Sequence, residues 1–245
     1  MLGWMGEDRL VGELAGARIV ELPLRGEWQA VQTPASRIPS HGTDMLAQRY
    51  AFDLIRFDRR KGSRYHPAGG LRTLVLGVRT SECHGWGEPV HAMLDGEVVT
   101  ALDGVPERSR IHPVRELAVV LWNAMTFTPE KLRQVVGNHV IVRHDEVFSA
   151  YVHLTTGSVA VAAGDAVRAG DVLGRVGHTG NSTAPHLHTQ LMDGPDPLVA
   201  KGLPCAFRAY EVERPGGAWE RVERSIPTAE ERIRSVDDEL QVRPA

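Results

Sequence analysis

Gly177-His-Thr-Gly-Asn-Ser-Thr-Ala-Pro-His-Leu-His-Thr189 is the stretch whose reading decides the fold. Side chains along a β-strand point alternately to opposite faces, so His186 and His188 share one face and Leu187 takes the other. Two imidazoles on one face reach a single site, and neutral imidazole nitrogen is a preferred ligand of Zn²⁺. A catalytic zinc usually takes three protein ligands and keeps one position open, so the pair needs company. Asp53, inside Tyr50-Ala-Phe-Asp-Leu-Ile-Arg-Phe57, is one candidate: apolar residues on both sides of it predict a strand buried on both faces, where a carboxylate needs a reason to be. His41, in Ser40-His-Gly-Thr43, is another. In Tyr151-Val-His-Leu154, strand alternation predicts Tyr151 and His153 on one face with Val152 and Leu154 on the other. His66, His84, His91, His112, His139, His144 and His178 read as ordinary core or surface residues.

The flanking sequence keeps a β texture. Asn138-His-Val-Ile-Val-Arg143, Ser149–Leu154 and Ser158-Val-Ala-Val161 read as short strands. Gly164-Asp-Ala-Val-Arg-Ala-Gly-Asp-Val-Leu-Gly174 follows, with glycines at corners that need φ > 0 or a close backbone approach. Within Gly87–Thr100, the Asp95-Gly96 pair predicts two strands joined in a tight hairpin. Short strands with regular turns predict a mainly β fold, a compact antiparallel β-roll or sandwich. The period changes between 106 and 136, where Val114, Leu117, Ala118, Leu121 and Trp122 are spaced to share one helical face. This predicts a short helical insertion over 107–136, and a second helix is predicted from Thr228 to Leu240 behind Pro227. The predicted organisation is an N-terminal β extension (1–40, including Ala17–Leu22), a main domain (41–208) carrying the insertion, and a peripheral charged tail (209–245).

With 28 basic and 31 acidic residues, the net charge of −3 gives no global electrostatic reason to expect nucleic acid or an anionic membrane as partner. No stretch approaches the ~20 apolar residues of a membrane span. Met1–Leu10 carries acidic residues and lacks the basic-then-apolar pattern of a signal peptide, which leaves localisation open between the cytoplasm and, with a leader missing, the cell envelope. Cys83 and Cys205 match no Cys-x-x-Cys pattern, so a disulfide, two thiols and a metal pair all stand. The Gly-Asp-x-Val texture at Gly164 also suits a lipoyl-type carrier. That would need a lysine at a hairpin tip, and Lys61, Lys131 and Lys201 lie elsewhere.

The run from Gly177 to His188 resembles the end of the active-site strand in lysostaphin or LytM-type zinc metallopeptidases, which cleave peptide crosslinks in bacterial peptidoglycan. Gly87–Ala92 with Asp95–Val98 resembles that family's first hairpin. Gly137–Val142 followed by Tyr151–Leu154 resembles its central strands, and Gly164–Gly177 its return hairpin. The resemblance spans about residues 40–192 and implies the family's β-roll, a duplicated hybrid motif. It further implies that Zn²⁺ is held by Asp53 and His188, with His153 and His186 as catalytic histidines beside the activated water. The family usually places its remaining histidine three residues ahead of a Gly-x-Asp ending, whereas His41 lies twelve positions upstream of Asp53. His41 is assigned as that ligand, with Asp44 as a rival. The implied activity is a zinc metalloendopeptidase acting on a peptide or peptidoglycan substrate, with no nucleic acid and no membrane span. The alternative is a catalytically inactive module of the same fold that regulates another wall hydrolase. Such modules typically lack ligands, and His153, His186, His188 and Asp53 are all retained.

Overall fold

The structure, a computed structural model, describes residues 14–58, 65–68, 73 and 76–236. The strands in chain order are β1 (Arg18–Val20), β2 (Glu27–Gln32), β3 (Phe52–Ile55), β4 (Val78–Arg79), β5 (Pro89–His91), β6 (Gly96–Leu102), β7 (Arg110–Ile111), β8 (Asn138–His144) and β9 (Val147–Leu154). After these come β10 (Ala166–Val167), β11 (Val172–Arg175), β12 (Leu187–Met192), β13 (Gly202–Leu203), β14 (Cys205–Glu213), β15 (Trp219–Ser225) and β16 (Arg232–Arg234). Helices α1 (Pro113–Met125) and α2 (Leu132–Val136) lie between β7 and β8.

One large sheet runs β1-β14-β16-β2-β3-β12-β9-β8-β6-β10, with β13 beside β12 and β15 beside β14. Its pairings are antiparallel except for the parallel β1·β14 contact, in keeping with the mainly β, antiparallel expectation. The alternation read from the sequence governs β12: Leu187 and Leu191 enter the main core with Phe52, Leu54, Tyr151 and Phe207, while His186, His188 and Gln190 line a groove on the opposite face. Burial of each such leucine contributes about 1.5–3 kcal/mol.

The Asp95-Gly96 hairpin does not form. β5 pairs with β11, whereas β6 pairs with β8 and β10. Ala92 and Met93 are completely buried between them, and the Met93 N–H donates to the Tyr151 hydroxyl at 2.7 Å, so the chain turns a corner from one sheet to the other. The predicted return hairpin over Gly164–Gly177 is the complementary corner, because β10 joins β6 and β11 joins β5. Both stretches have the local composition of hairpins, but each strand finds its partner on the other corner. Ser158–Val161 lies outside the strands; the Ser158 N–H closes a turn onto the Thr155 carbonyl at 3.2 Å.

The insertion is helical, but its predicted apolar face points outward. Val114, Leu117, Leu121 and Trp122 are all exposed, and it is Glu116 that is buried, at 1% exposure. The predicted helix from Thr228 is replaced by a turn and β16, and residues 237–240 fall outside the described residues. Arg232-Ile-Arg234 alternates: Ile233 is fully buried, while the guanidinium groups of Arg232 and Arg234 lie 5.5 and 4.4 Å from the Trp219 ring. Cys83 and Cys205 are separate buried thiols, both pushed up to about 12 by burial first.

The β6 corner leaves no room for a side chain, since a Cβ on Gly96 would lie 2.2 Å from the Arg143 carbonyl oxygen. Gly96→Ala should therefore lower unfolding free energy by about 1–3 kcal/mol, read as a reduced denaturant midpoint. An unchanged midpoint would mean that the corner is not tight.

Candidate active site

Strand register brings the first two groups together. In the antiparallel β3·β12 pair, Asp53 stands directly opposite His188, where side chains on one face interact. His188 Nδ1 lies 2.8 Å from Asp53 Oδ1, and His186 Nε2 lies 3.5 Å from the same oxygen. His41 arrives from the loop ahead of a 3₁₀ stretch, Met45–Tyr50, and places Nε2 3.1 Å from Asp53 Oδ1. Asp44 instead pairs with Arg49 at 2.9 Å and is exposed, so of the two rivals His41 is the one beside Asp53. The ligand atoms of His41, Asp53 and His188 all lie within 4.8 Å of one another.

His153 joins them by breaking the rule used to predict it. Tyr151 and Leu154 both face the core, while Val152 and His153 both line the groove. A register shift between Asn138 and Val140 on β8 and a left-handed φ of 65° at His153 rotate the imidazole out of strict alternation. A bulge of this kind re-aims a side chain. The His153 and His186 ring centroids are 4.9 Å apart.

The outer hydrogen bonds of these rings fix where their protons lie. Ser40 Oγ donates to the Gln48 carbonyl at 3.1 Å and so accepts from His41 Nδ1 at 3.0 Å. Gln190 Nε2 donates to the Leu46 carbonyl at 2.8 Å, which turns Gln190 Oε1 toward His188 Nε2 at 3.0 Å. His186 Nδ1 donates to the Ala184 carbonyl at 2.7 Å, and His153 Nδ1 to the Thr179 carbonyl at 2.9 Å. In the neutral rings, His41 Nε2, His188 Nδ1 and His186 Nε2 then present bare lone pairs to a carboxylate oxygen. His41 Nε2 has no hydrogen-bond partner despite its burial. Lone pairs on one oxygen repel unless a cation, a proton or a metal ion, stands among them. A His-Asp-His donor set fits a divalent metal.

The electrostatics follow the same crowding. Burial would raise the Asp53 carboxyl, but His186, His188 and His41 outweigh it and hold the group well below the usual carboxylate range. Burial lowers His41 and, with the neighbouring imidazoles, drives His153 well below its ordinary value. Burial also works against protonation of His186, yet attraction to Asp53 raises it. The groove above these groups has a volume of about 670 Å³; Val120, Leu132 and Val135 of the insertion line it, as do Leu46, Gln48, Pro195 and Pro197.

Two residues missed in the sequence belong to this environment. Gln190 had a legible signal, since it lies two positions beyond His188 and strand parity places it on the same face. His178, read as an ordinary histidine, is completely buried; it meets Arg108 at 3.2 Å and Ser182 at 3.0 Å, contacts that no local spacing announces. Burial keeps His178 below its ordinary value.

Residues 118–199 match Peptidase family M23. That span contains His153, His186 and His188, while His41 and Asp53 lie outside it. The DD-carboxypeptidase/endopeptidase Mpg of Neisseria meningitidis and that of Neisseria gonorrhoeae are each 42% identical over 71 residues, 28% of this chain and 16% of theirs. The match thus spans about a sixth of the length of these curated relatives. Among solved structures, the catalytic domain of the antimicrobial peptidase lysostaphin from Staphylococcus simulans is 24% identical, with 56% of this chain and 81% of that one covered and a TM-score of 0.32. The catalytic domain of the prophage-encoded M23 protein EnpA from Enterococcus faecalis is 22% identical, with 57% and 94% covered and a TM-score of 0.33. The match to Peptidase family M23 over residues 118–199 agrees with the peptidase resemblance of the sequence.

Glu116, on the buried side of α1, provides a measurable pH signature. Burial would raise its carboxyl, but His178, Arg115 and Arg108 together lower it to about 2. A depressed acid contributes stability that is present above its unfolded value, near 4.5, and lost as pH falls toward 2. Acid unfolding followed by circular dichroism should show that slope, and Glu116→Gln should flatten it. Identical acid curves for the two proteins would contradict the assignment.

Proposed function

With its paired histidines inside a stretch matching Peptidase family M23, we propose that this chain is a zinc-dependent endopeptidase hydrolysing peptide bonds in peptidoglycan crosslinks or stem peptides. His41, Asp53 and His188 are the proposed metal ligands, and His153 and His186 the proposed catalytic histidines. The unit that carries the activity is residues 41–208, with the insertion at 107–136 as one wall of its groove. The observation that supports this most strongly is the convergence of three imidazole nitrogens on Asp53 Oδ1 at 2.8, 3.1 and 3.5 Å.

Zinc bound there supplies Lewis acidity, lowering the pKa of water toward ~7 and polarising the scissile carbonyl. The remaining work belongs to the protein's own groups. With its ring proton on Nδ1, His186 has a bare Nε2 facing the groove and can accept the proton of an attacking water. Its Nδ1–H stays anchored on the Ala184 carbonyl, so the ring keeps its orientation through the transfer. His153, held by the Thr179 carbonyl, stands on the other side of His186 from Asp53's strand. Its Nε2 is bare in the neutral ring, so it can first accept a proton, and only the protonated ring can then donate to the developing oxyanion or to the departing amine. Gln190 keeps His188 Nδ1 unprotonated and aimed at the metal position, the part that outer partners of metal-bound histidines play.

Metal analysis of the purified protein, combined with assays on crosslinked peptidoglycan peptides, tests this reading. His188→Ala should lose zinc, whereas His186→Ala should retain zinc and lose turnover. Gln190→Leu should weaken zinc binding by about 10- to 100-fold, measured by chelator competition. Wild-type protein that neither binds zinc nor cleaves any peptide would defeat the proposal in favour of the inactive regulatory module.

A further inference from the structure

Both proposed catalytic histidines are aimed by one loop. The Thr179 carbonyl receives His153 Nδ1–H at 2.9 Å, and the Ala184 carbonyl receives His186 Nδ1–H at 2.7 Å. This loop is gripped from the insertion by a single guanidinium. Arg108 Nη1 donates to the Gly180 carbonyl at 3.0 Å; Nη2 donates to the Ser182 carbonyl at 2.9 Å and to His178 Nε2 at 3.2 Å; and Nε pairs with Glu116 Oε2 at 2.9 Å. Glu116 is itself held by Arg115 through Oε1 at 2.7 Å.

The bonds also transmit an orientation. Since the guanidinium occupies His178 Nε2, the ring proton sits on Nδ1 and is donated to Ser182 Oγ at 3.0 Å. Ser182 then donates its own proton to the Ala184 carbonyl at 2.7 Å, and its oxygen, 3.2 Å from His186 Nδ1, shares the proton of that ring. Arg108 Nε and Glu116 Oε2 meet as an ion pair without hydrogen-bond alignment, and Glu116 Oε2 stays 3.6 Å from His178 Nε2. The guanidinium Nη2 is therefore the group that sets the His178 tautomer, and from His178 to Ser182 and Ala184 the donors and acceptors agree.

We propose that Arg108, locked by Glu116 of the insertion helix, is a positioning residue that fixes the orientation and tautomer of His186 through His178 and Ser182, and of His153 through the Thr179 carbonyl. This rests on the reading of His153 and His186 as catalytic. It gives the insertion a role beyond lining the groove: α1 supplies the buried carboxylate on which the clamp is built. Arginine suits the task because its planar fork reaches several acceptors at once, whereas a lysine ammonium is one point charge on a flexible stem.

Two variants separate positioning from simple stability. Arg108→Met combined with Glu116→Leu replaces the buried ion pair with apolar groups, an exchange that is often neutral for stability. Arg108→Lys keeps the charge beside Glu116 but cannot span the Gly180 and Ser182 carbonyls together. For both, zinc content and KM on a crosslinked muropeptide should stay near wild type, while kcat should fall by about 10- to 100-fold, the scale of a misplaced catalytic group. Nitrogen-15 imidazole spectra of the metal-free protein provide a readout independent of turnover. Wild type should give distinct Nδ1–H signals for His153, His178 and His186, and the variants should lose or average those of His178 and His186. Wild-type kcat together with unchanged imidazole signals in either folded variant overturns the clamp. Should wild type cleave nothing, the peptidase reading fails separately, and the imidazole spectra alone decide whether Arg108 orders these rings.

Discussion

A carboxylate oxygen facing three imidazole nitrogens is the constraint on which the site depends. The Asp53 side chain, on the face of β3 opposite to the core residues Phe52 and Leu54, is only 16% exposed, and a desolvated carboxylate persists only where cationic or hydrogen-bonding groups compensate the lost hydration. His41, His186 and His188 crowd its oxygen from a loop and a neighbouring strand, and a cation shared among them, a proton or a metal ion, completes the compensation. Each ring has its outer nitrogen tied to a fixed acceptor: Ser40 for His41, Ala184 for His186 and Gln190 for His188. The inner nitrogens are therefore presented before any ligand arrives, which is the preorganisation that metal centres gain from their outer partners.

The surrounding sheet accepts local irregularity to make this arrangement possible. Left-handed φ values at Leu46 and Ala47 fold the 3₁₀ stretch back so that the Leu46 carbonyl reaches Gln190. The left-handed φ at His153 carries a fourth imidazole to the groove. Non-glycine residues in that region cost energy and persist only where neighbouring structure over-determines them. Here the outcome at His153 is secured by the bond from its Nδ1 to the Thr179 carbonyl, so the irregular backbone and the loop support each other.

The insertion exposes the side that its apolar spacing suggested would be buried and buries the charged residue between. Trp122 is 66% exposed while Glu116 is 1% exposed. A buried carboxylate is tolerated because Arg108 and Arg115 flank it, and removing one partner from such a group would cost far more than the pair itself contributes. The same helix and its successor α2 line the groove with Val120, Leu132 and Val135. The insertion therefore meets the groove in two ways, through its wall and through the loop that carries Thr179, Ser182 and Ala184.

Strand texture, the helical character of the insertion and the paired faces of His186 and His188 were legible because each depends only on a local period, two in strands and 3.6 in helices. Asp53 was legible as an oddity, a charge among apolar neighbours. The two hairpins, the outward face of α1 and the helix expected after Thr228 were misread. In each, local composition allowed one answer and a distant partner enforced another: β5 with β11 and β6 with β10 in place of the hairpins, Arg108 with Glu116 at the buried face of α1, and β16 with β2 and β14 in place of the helix. The sequence by itself determined which residue types are available for metal chemistry and on which strand face two of them stand. Tertiary structure alone decided that His41, 12 residues from Asp53 in the chain, meets it at 3.1 Å, and that His153 leaves its strand alternation, because both outcomes depend on hydrogen bonds and register between segments far apart in sequence.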